Sequence, residues 1–99
     1  MNLPLAYHPN VEEDIKDAYR GHEEQRAGLG QEFLDAIEEV FDSLLHSPRR
    51  HGIVYQENVR RALPRRFPYA VLYRVLSDRV EILAVYHSHR DPIGWQARV

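Results

Sequence analysis

Two apolar runs of strand length, Tyr69-Ala70-Val71-Leu72-Tyr73-Arg74-Val75-Leu76 and Val80-Glu81-Ile82-Leu83-Ala84-Val85-Tyr86, stand three residues apart near the end of this 99-residue chain. Ser77-Asp78-Arg79 between them has the length and residue types of a hairpin turn, so the two runs pair antiparallel. Each is apolar at odd and even positions alike, which makes them central strands with both faces covered. In such a hairpin the start of the first strand lies beside the end of the second. Arg65, Arg66 and Tyr69 are therefore expected close to Tyr86, His87, His89 and Arg90.

The rest of the chain supplies the support. Leu3, Leu5 and Tyr7 alternate with Pro4, Ala6 and His8, the pattern of a strand with one buried face, and Pro4 confines it to an edge or a strand end. Asn10 followed by Glu13 has capping-box spacing and predicts a helix over Val11–Gln25, with Glu12, Glu13 and Asp14 at its positive end. Val11, Ile15, Ala18, Tyr19 and His22 give it a narrow apolar stripe, and Gly28-Leu29-Gly30 turns the chain. A second helix over 31–46 carries Phe33, Leu34, Ile37, Val40, Phe41, Leu44 and Leu45 on one side, and Pro48 stops it. Residues 47–58 read as a polar loop in which 53–55 can form a brief extended piece. A strand over 59–63 puts Val59, Arg61 and Leu63 on one face and Arg60 and Ala62 on the other, ending at Pro64. The order β-α-α-β-β-β is an α+β fold, a small antiparallel-rich sheet with a helical hairpin on one face, forming a single domain over 1–99.

A net charge of −2 conceals an asymmetry. Residues 1–48 hold three basic residues against eleven acids, a net of −8, whereas 49–99 hold ten arginines against four acids, a net of +6. The planar guanidinium suits phosphate or carboxylate, so the second half is expected to face nucleic acid or an acidic partner. Arg65 and Arg66 are the hardest to explain by folding, because adjacent like charges contribute nothing to packing. There is no cysteine, and the six histidines lack ligand spacing, so neither metal nor cofactor is expected. Without a charged leader and apolar core, or an apolar run of about eighteen residues, a cytoplasmic protein with no membrane contact is expected.

The element order, the size, the run Arg-Arg-Phe-Pro-Tyr-Ala-Val-Leu-Tyr-Arg-Val (65–75) and the closing Val-Tyr-His-Ser-His-Arg-Asp-Pro-Ile-Gly-Trp (85–95) together resemble the RelE/ParE superfamily of type II toxin–antitoxin toxins. The resemblance spans nearly the whole chain, specific over 59–95 and architectural in the helices. It implies a small toxin neutralised by a cognate antitoxin whose C-terminal segment wraps it, in a toxin–antitoxin hetero-oligomer. One branch of the superfamily cleaves messenger RNA in the ribosomal decoding site; the other poisons DNA gyrase.

Metal-free RNA cleavage needs a base for the 2′-hydroxyl, an acid for the leaving oxygen and cations for the phosphorane charge. His87 and His89 are the candidate acid and base, Arg90 the candidate catalytic cation, and Tyr86 or Glu57 the candidate assistants. Arg60, Arg61, Arg65, Arg66 and Tyr86 are candidate binding residues, and Tyr69 or Trp95 could stack a base. The RNA-cleaving branch commonly carries an arginine directly after the aromatic that opens the Tyr-x-apolar-apolar-Tyr run, where this chain has Ala70. That departure favours a ParE-like gyrase inhibitor, acting by contact, over a RelE-like ribosome-dependent endoribonuclease. A third reading is an antitoxin-binding module without toxicity. All three imply affinity for an acidic, amphipathic antitoxin segment.

Overall fold

The computed structural model describes residues 2–99. Along the chain lie β1 (Leu5–Tyr7), α1 (Val11–Gln25), α2 (Leu29–His46), β2 (Ile53–Tyr55), β3 (Val59–Ala62), β4 (Tyr69–Val75), β5 (Val80–His87) and α3 (Ile93–Gln96). The strands form one sheet in the order β1-β5-β4-β3-β2, with β1 parallel to β5 and the other pairs antiparallel. The α+β class, the central β4–β5 hairpin and the edge position of β1 are as the patterning requires. The brief extended piece is a full edge strand, and a short third helix follows the sheet.

The register of β4 against β5 explains how both faces become buried. Tyr69 pairs with His87 and Val75 with Val80, while Leu83 bulges between the Leu72–Ala84 and Tyr73–Ile82 pairs. The bulge puts Leu83 and Ala84 together in the smaller core, on the face away from the helices. On the helix side, Phe33, Ile37 and Leu44 from α2 pack with Val71, Tyr73, Ile82 and Val85. On the other face, Val59, Leu72, Ala84 and Tyr86 are closed over by Trp95 of α3, Tyr55 and Val99. The sheet is thus covered on both sides.

Two local expectations are corrected. Asn10 takes helical angles (φ −83°, ψ −7°) and makes no side-chain cap; its N–H donates instead to His8 Nδ1 at 3.1 Å. The capping box does not form. Gly30 is not in the turn but inside α2, where an added Cβ would come within 2.7 Å of the Tyr19 and Glu23 side chains. Its missing side chain lets the helices approach closely. Gly28 makes the turn at φ 89°, and Glu23 of α1 accepts hydrogen bonds from the N–H groups of Gly28 (3.0 Å) and Gly30 (2.9 Å), capping α2 from the neighbouring helix.

Because β1 pairs with β5 only as far as Ile82, the edge of β5 beyond it needs other partners. Asp14 of α1 accepts from Val85 N–H at 3.1 Å, and Arg98 donates to the Leu83 carbonyl at 3.1 Å. Asp14 and Arg98 also bind each other bidentately at 2.6 and 2.9 Å, with side chains only 10% and 12% exposed. The C-terminal segment is thereby tied to β5 and α1.

Candidate functional site

The face away from α1 and α2 carries a cleft of about 260 Å³ between the β2–β3 edge and α3. Ala70, Leu72 and Trp95 line its apolar part, Val54 and Leu63 stand on the β2–β3 side, and Arg61 and Arg90 supply its charge. Strand alternation puts Arg61 on this face with Val59. The Arg90 guanidinium lies over the Tyr86 ring, 4.7 Å from its centroid. Among the described residues the arginine ion pairs engage Arg20, Arg26, Arg65, Arg66, Arg74, Arg79 and Arg98, so Arg61 and Arg90 carry no carboxylate partner.

Some of the other polar groups around this cleft are already committed. Tyr86 is buried, its hydroxyl donates to the Asp91 carbonyl at 3.0 Å, and it lies where a side chain on Gly94 would collide with it. Ala70, its cross-strand partner, is buried beside it. His87 is half-buried at the end of β5, edge-on to Tyr69 with ring centroids 5.1 Å apart. Its Nδ1 accepts the His89 N–H at 3.1 Å, so the neutral ring carries its proton on Nε2. His89 is exposed, 5.5 Å from His87 between ring centroids. Burial raises the Tyr69 phenol above its ordinary range, with Arg90 opposing the shift.

The expected convergence holds for Tyr69, Tyr86, His87, His89 and Arg90, and Arg66 joins Tyr69 and His87 around a pocket on the helix side, but Arg65 does not reach them. Arg65 grips Glu39 of α2 with contacts of 2.9–3.2 Å, and Arg66, at φ 73°, reaches Glu32 of α2 at 2.9 Å. Both point their charge at the acidic helix, because the loop after β3 turns to the helix side. Hydrogen bonds from Arg26 and Arg66 hold Glu32 below the usual carboxylate range.

Arg60 faces away from Arg61 and donates to the carbonyls of Arg49 (3.1 Å) and His51 (2.6 Å), so it braces the loop before β2. Trp95 is 7% exposed and edge-on to Tyr55 at 5.3 Å, so it closes the smaller core while also lining the cleft. Glu57 lies in the exposed turn between β2 and β3 and does not line the cleft. Of the lining residues that sequence reasoning did not single out, Leu63 was legible from its alternation with Val59 and Arg61. Val54 was not, because three residues are too few to show a period. Among the described residues no three or more His, Cys, Asp or Glu side chains gather as a metal site, and no helix is long and apolar enough to cross a membrane.

Residues 5–92 match the family described as ParE toxin of type II toxin-antitoxin system, parDE. No curated protein matches the chain in sequence. Among solved structures, the fold is similar to a chain of the chromosomal ParDE toxin–antitoxin system from P. aeruginosa, with a TM-score of 0.76 and 17% identity over 86% of this chain and 95% of that one. It is also similar to a chain of the toxin–antitoxin complex RelBE2 from Mycobacterium tuberculosis, with a TM-score of 0.62 and 22% identity over 88% of this chain and 99% of that one. At these identities the structural likeness is one of fold. Since the family match runs from β1 to the turn before α3, the chain belongs to the ParE toxin family of type II toxin–antitoxin systems, within the RelE/ParE superfamily.

Proposed function

We propose that this toxin acts by contact, inhibiting DNA gyrase in the ParE manner, and that a cognate antitoxin neutralises it. The observation that carries this reading is the make-up of the cleft. Two arginines without carboxylate partners stand over an apolar floor, while part of what RNA chemistry would use is engaged within the fold. The Tyr86 hydroxyl is bound to the Asp91 carbonyl, one nitrogen of His87 is bound to the backbone, and Ala70 supplies no cation. An acidic, amphipathic segment complements such a surface, its carboxylates on Arg61 and Arg90 and its apolar side chains on Leu63, Leu72 and Val54. That both structural relatives come from toxin–antitoxin systems supports an antitoxin partner.

One observation favours the RelE-like alternative: His87 lines the same cleft as Arg61 and Arg90, and an imidazole beside two cations is a workable set for metal-free transesterification. Expression in a growing bacterium separates the readings, with gyrase supercoiling and ribosomal messenger-RNA cleavage measured in parallel. Under the proposal supercoiling is inhibited, His87→Ala and His89→Ala retain the inhibition, and Arg61→Gln with Arg90→Gln weakens it. Codon-linked cuts that vanish in His87→Ala would replace the proposal with the RelE-like reading. Unimpaired growth, with antitoxin binding retained, would leave the non-toxic binding module.

A further inference from the structure

On the helix side of the sheet, apart from the arginine cleft, a second pocket of about 360 Å³ lies where α1 meets the loop entering β4. Its size is within the range of small-molecule sites, roughly 300–1,000 Å³. Ala18, Leu29, Phe67 and Pro68 give it apolar walls, and His22, Arg66, Tyr69 and His87 give it polar groups.

His22 is the informative residue. It is 9% exposed and stacked on Phe33 with centroids 4.8 Å apart. Its Nδ1 lies 2.6 Å from the Ala18 carbonyl, which only accepts, so Nδ1 carries the proton and Nε2 is an acceptor. Among the described residues nothing donates to that Nε2. His87 has the opposite tautomer, with Nε2–H as a donor. The Tyr69 ring stands 5.6 Å from His22 and 5.1 Å from His87, between centroids. The pocket therefore joins a ring acceptor, a ring donor and aromatic faces. Arg66 adds a cation, tied to Glu32 through one terminal nitrogen.

We propose that this pocket binds a purine nucleotide. The base lies against Tyr69 and Phe67, an N–H on its edge donates to His22 Nε2, a neighbouring acceptor receives His87 Nε2–H, and its phosphate faces Arg66. An adenine edge carries such a donor beside an acceptor. A wholly apolar ligand is disfavoured because it would cut the His22 Nε2 acceptor off from water without replacing the hydrogen bond. A metal ion is disfavoured because two imidazoles are the only metal-binding side chains lining the pocket. The proposal does not rest on the gyrase reading: apart from His87, which lines both, its residues are not those of the arginine cleft.

The test is titration of the full chain with AMP, adenosine or inorganic phosphate, following the imidazole resonances of His22 and His87 by ¹H–¹⁵N NMR. AMP is expected to shift both rings saturably, and adenosine to bind roughly tenfold more weakly, the loss of about 1.4 kcal/mol from one charge-assisted contact. Arg66→Gln brings AMP to the adenosine level. His22→Phe keeps the stack on Phe33 but removes the acceptor. Gly21→Leu fills the pocket mouth from a helix position where a Cβ meets nothing within 4 Å. Both variants weaken AMP at least about tenfold. The proposal is overturned by unchanged affinity in Gly21→Leu, by phosphate alone matching AMP, by shifts confined to Arg61, Arg90 and Trp95, or by no saturation at millimolar AMP.

Discussion

Gly94 and Tyr86 show how a single atom shapes the cleft. The Tyr86 hydroxyl occupies the space a Cβ on Gly94 would need, and its bond to Asp91 keeps it there. Gly94→Ala is expected to destabilise the fold by about 1–3 kcal/mol in urea unfolding. The same change in a Tyr86→Phe background should cost less, because the hydroxyl is the obstacle; equal costs in both would contradict this packing account. His51 carries a pH prediction. Burial first, then Arg50 and Arg60, lowers its pKa, so the folded chain takes up this proton less readily than the unfolded chain. Its contribution to stability is therefore complete above about pH 6.5 and declines as pH falls through the lowered folded value. His51→Gln should remove that part of the decline in a series of thermal melts from neutral to mildly acidic pH.

At the scale of elements, the C-terminal segment depends on one ion pair. Asp14 and Arg98 bind each other and the edge of β5, and both are nearly buried. Removing one partner strands the other, so Arg98→Leu is expected to cost about 3 kcal/mol or more. It should also loosen α3 over the cleft. A red-shifted, more quenchable Trp95 emission would report that loosening, and unchanged emission would show that the apolar contacts of Trp95 hold α3 alone. The helical hairpin illustrates the limits of local reading. The stripe Phe33, Ile37, Val40 and Leu44 was legible as core from its period. The role of Gly30 was not, because a glycine beside a turn and one admitting a neighbouring helix look the same in sequence.

Over the whole molecule, the division into an acidic and a basic half is partly resolved inside the fold. Arg65, Arg66 and Arg98 each pair with an acid from the first half, at Glu39, Glu32 and Asp14. The arginines in the cleft, Arg61 and Arg90, are left to attract an anionic partner. In association measurements over a salt series, Arg61→Gln with Arg90→Gln should slow binding of an acidic antitoxin peptide and flatten its salt dependence. Arg65→Gln with Arg66→Gln should change the rate far less. The reverse ranking would return the binding edge to the Arg65–Arg66 loop.

The sequence by itself determined the α+β class, the central β4–β5 hairpin, the helical hairpin and the alternation that separates Arg60 from Arg61. These follow from periods of two and 3.6 residues and from turn chemistry, all local properties of the chain. Only the tertiary structure decided which arginines remain unpaired. Arg66 meets Glu32 across 34 residues and Arg98 meets Asp14 across 84, and no local pattern records such partnerships. It also decided that β1 runs parallel to β5 and that Trp95 is core. Both depend on what covers the sheet's second edge and second face, which follows from where distant segments pack.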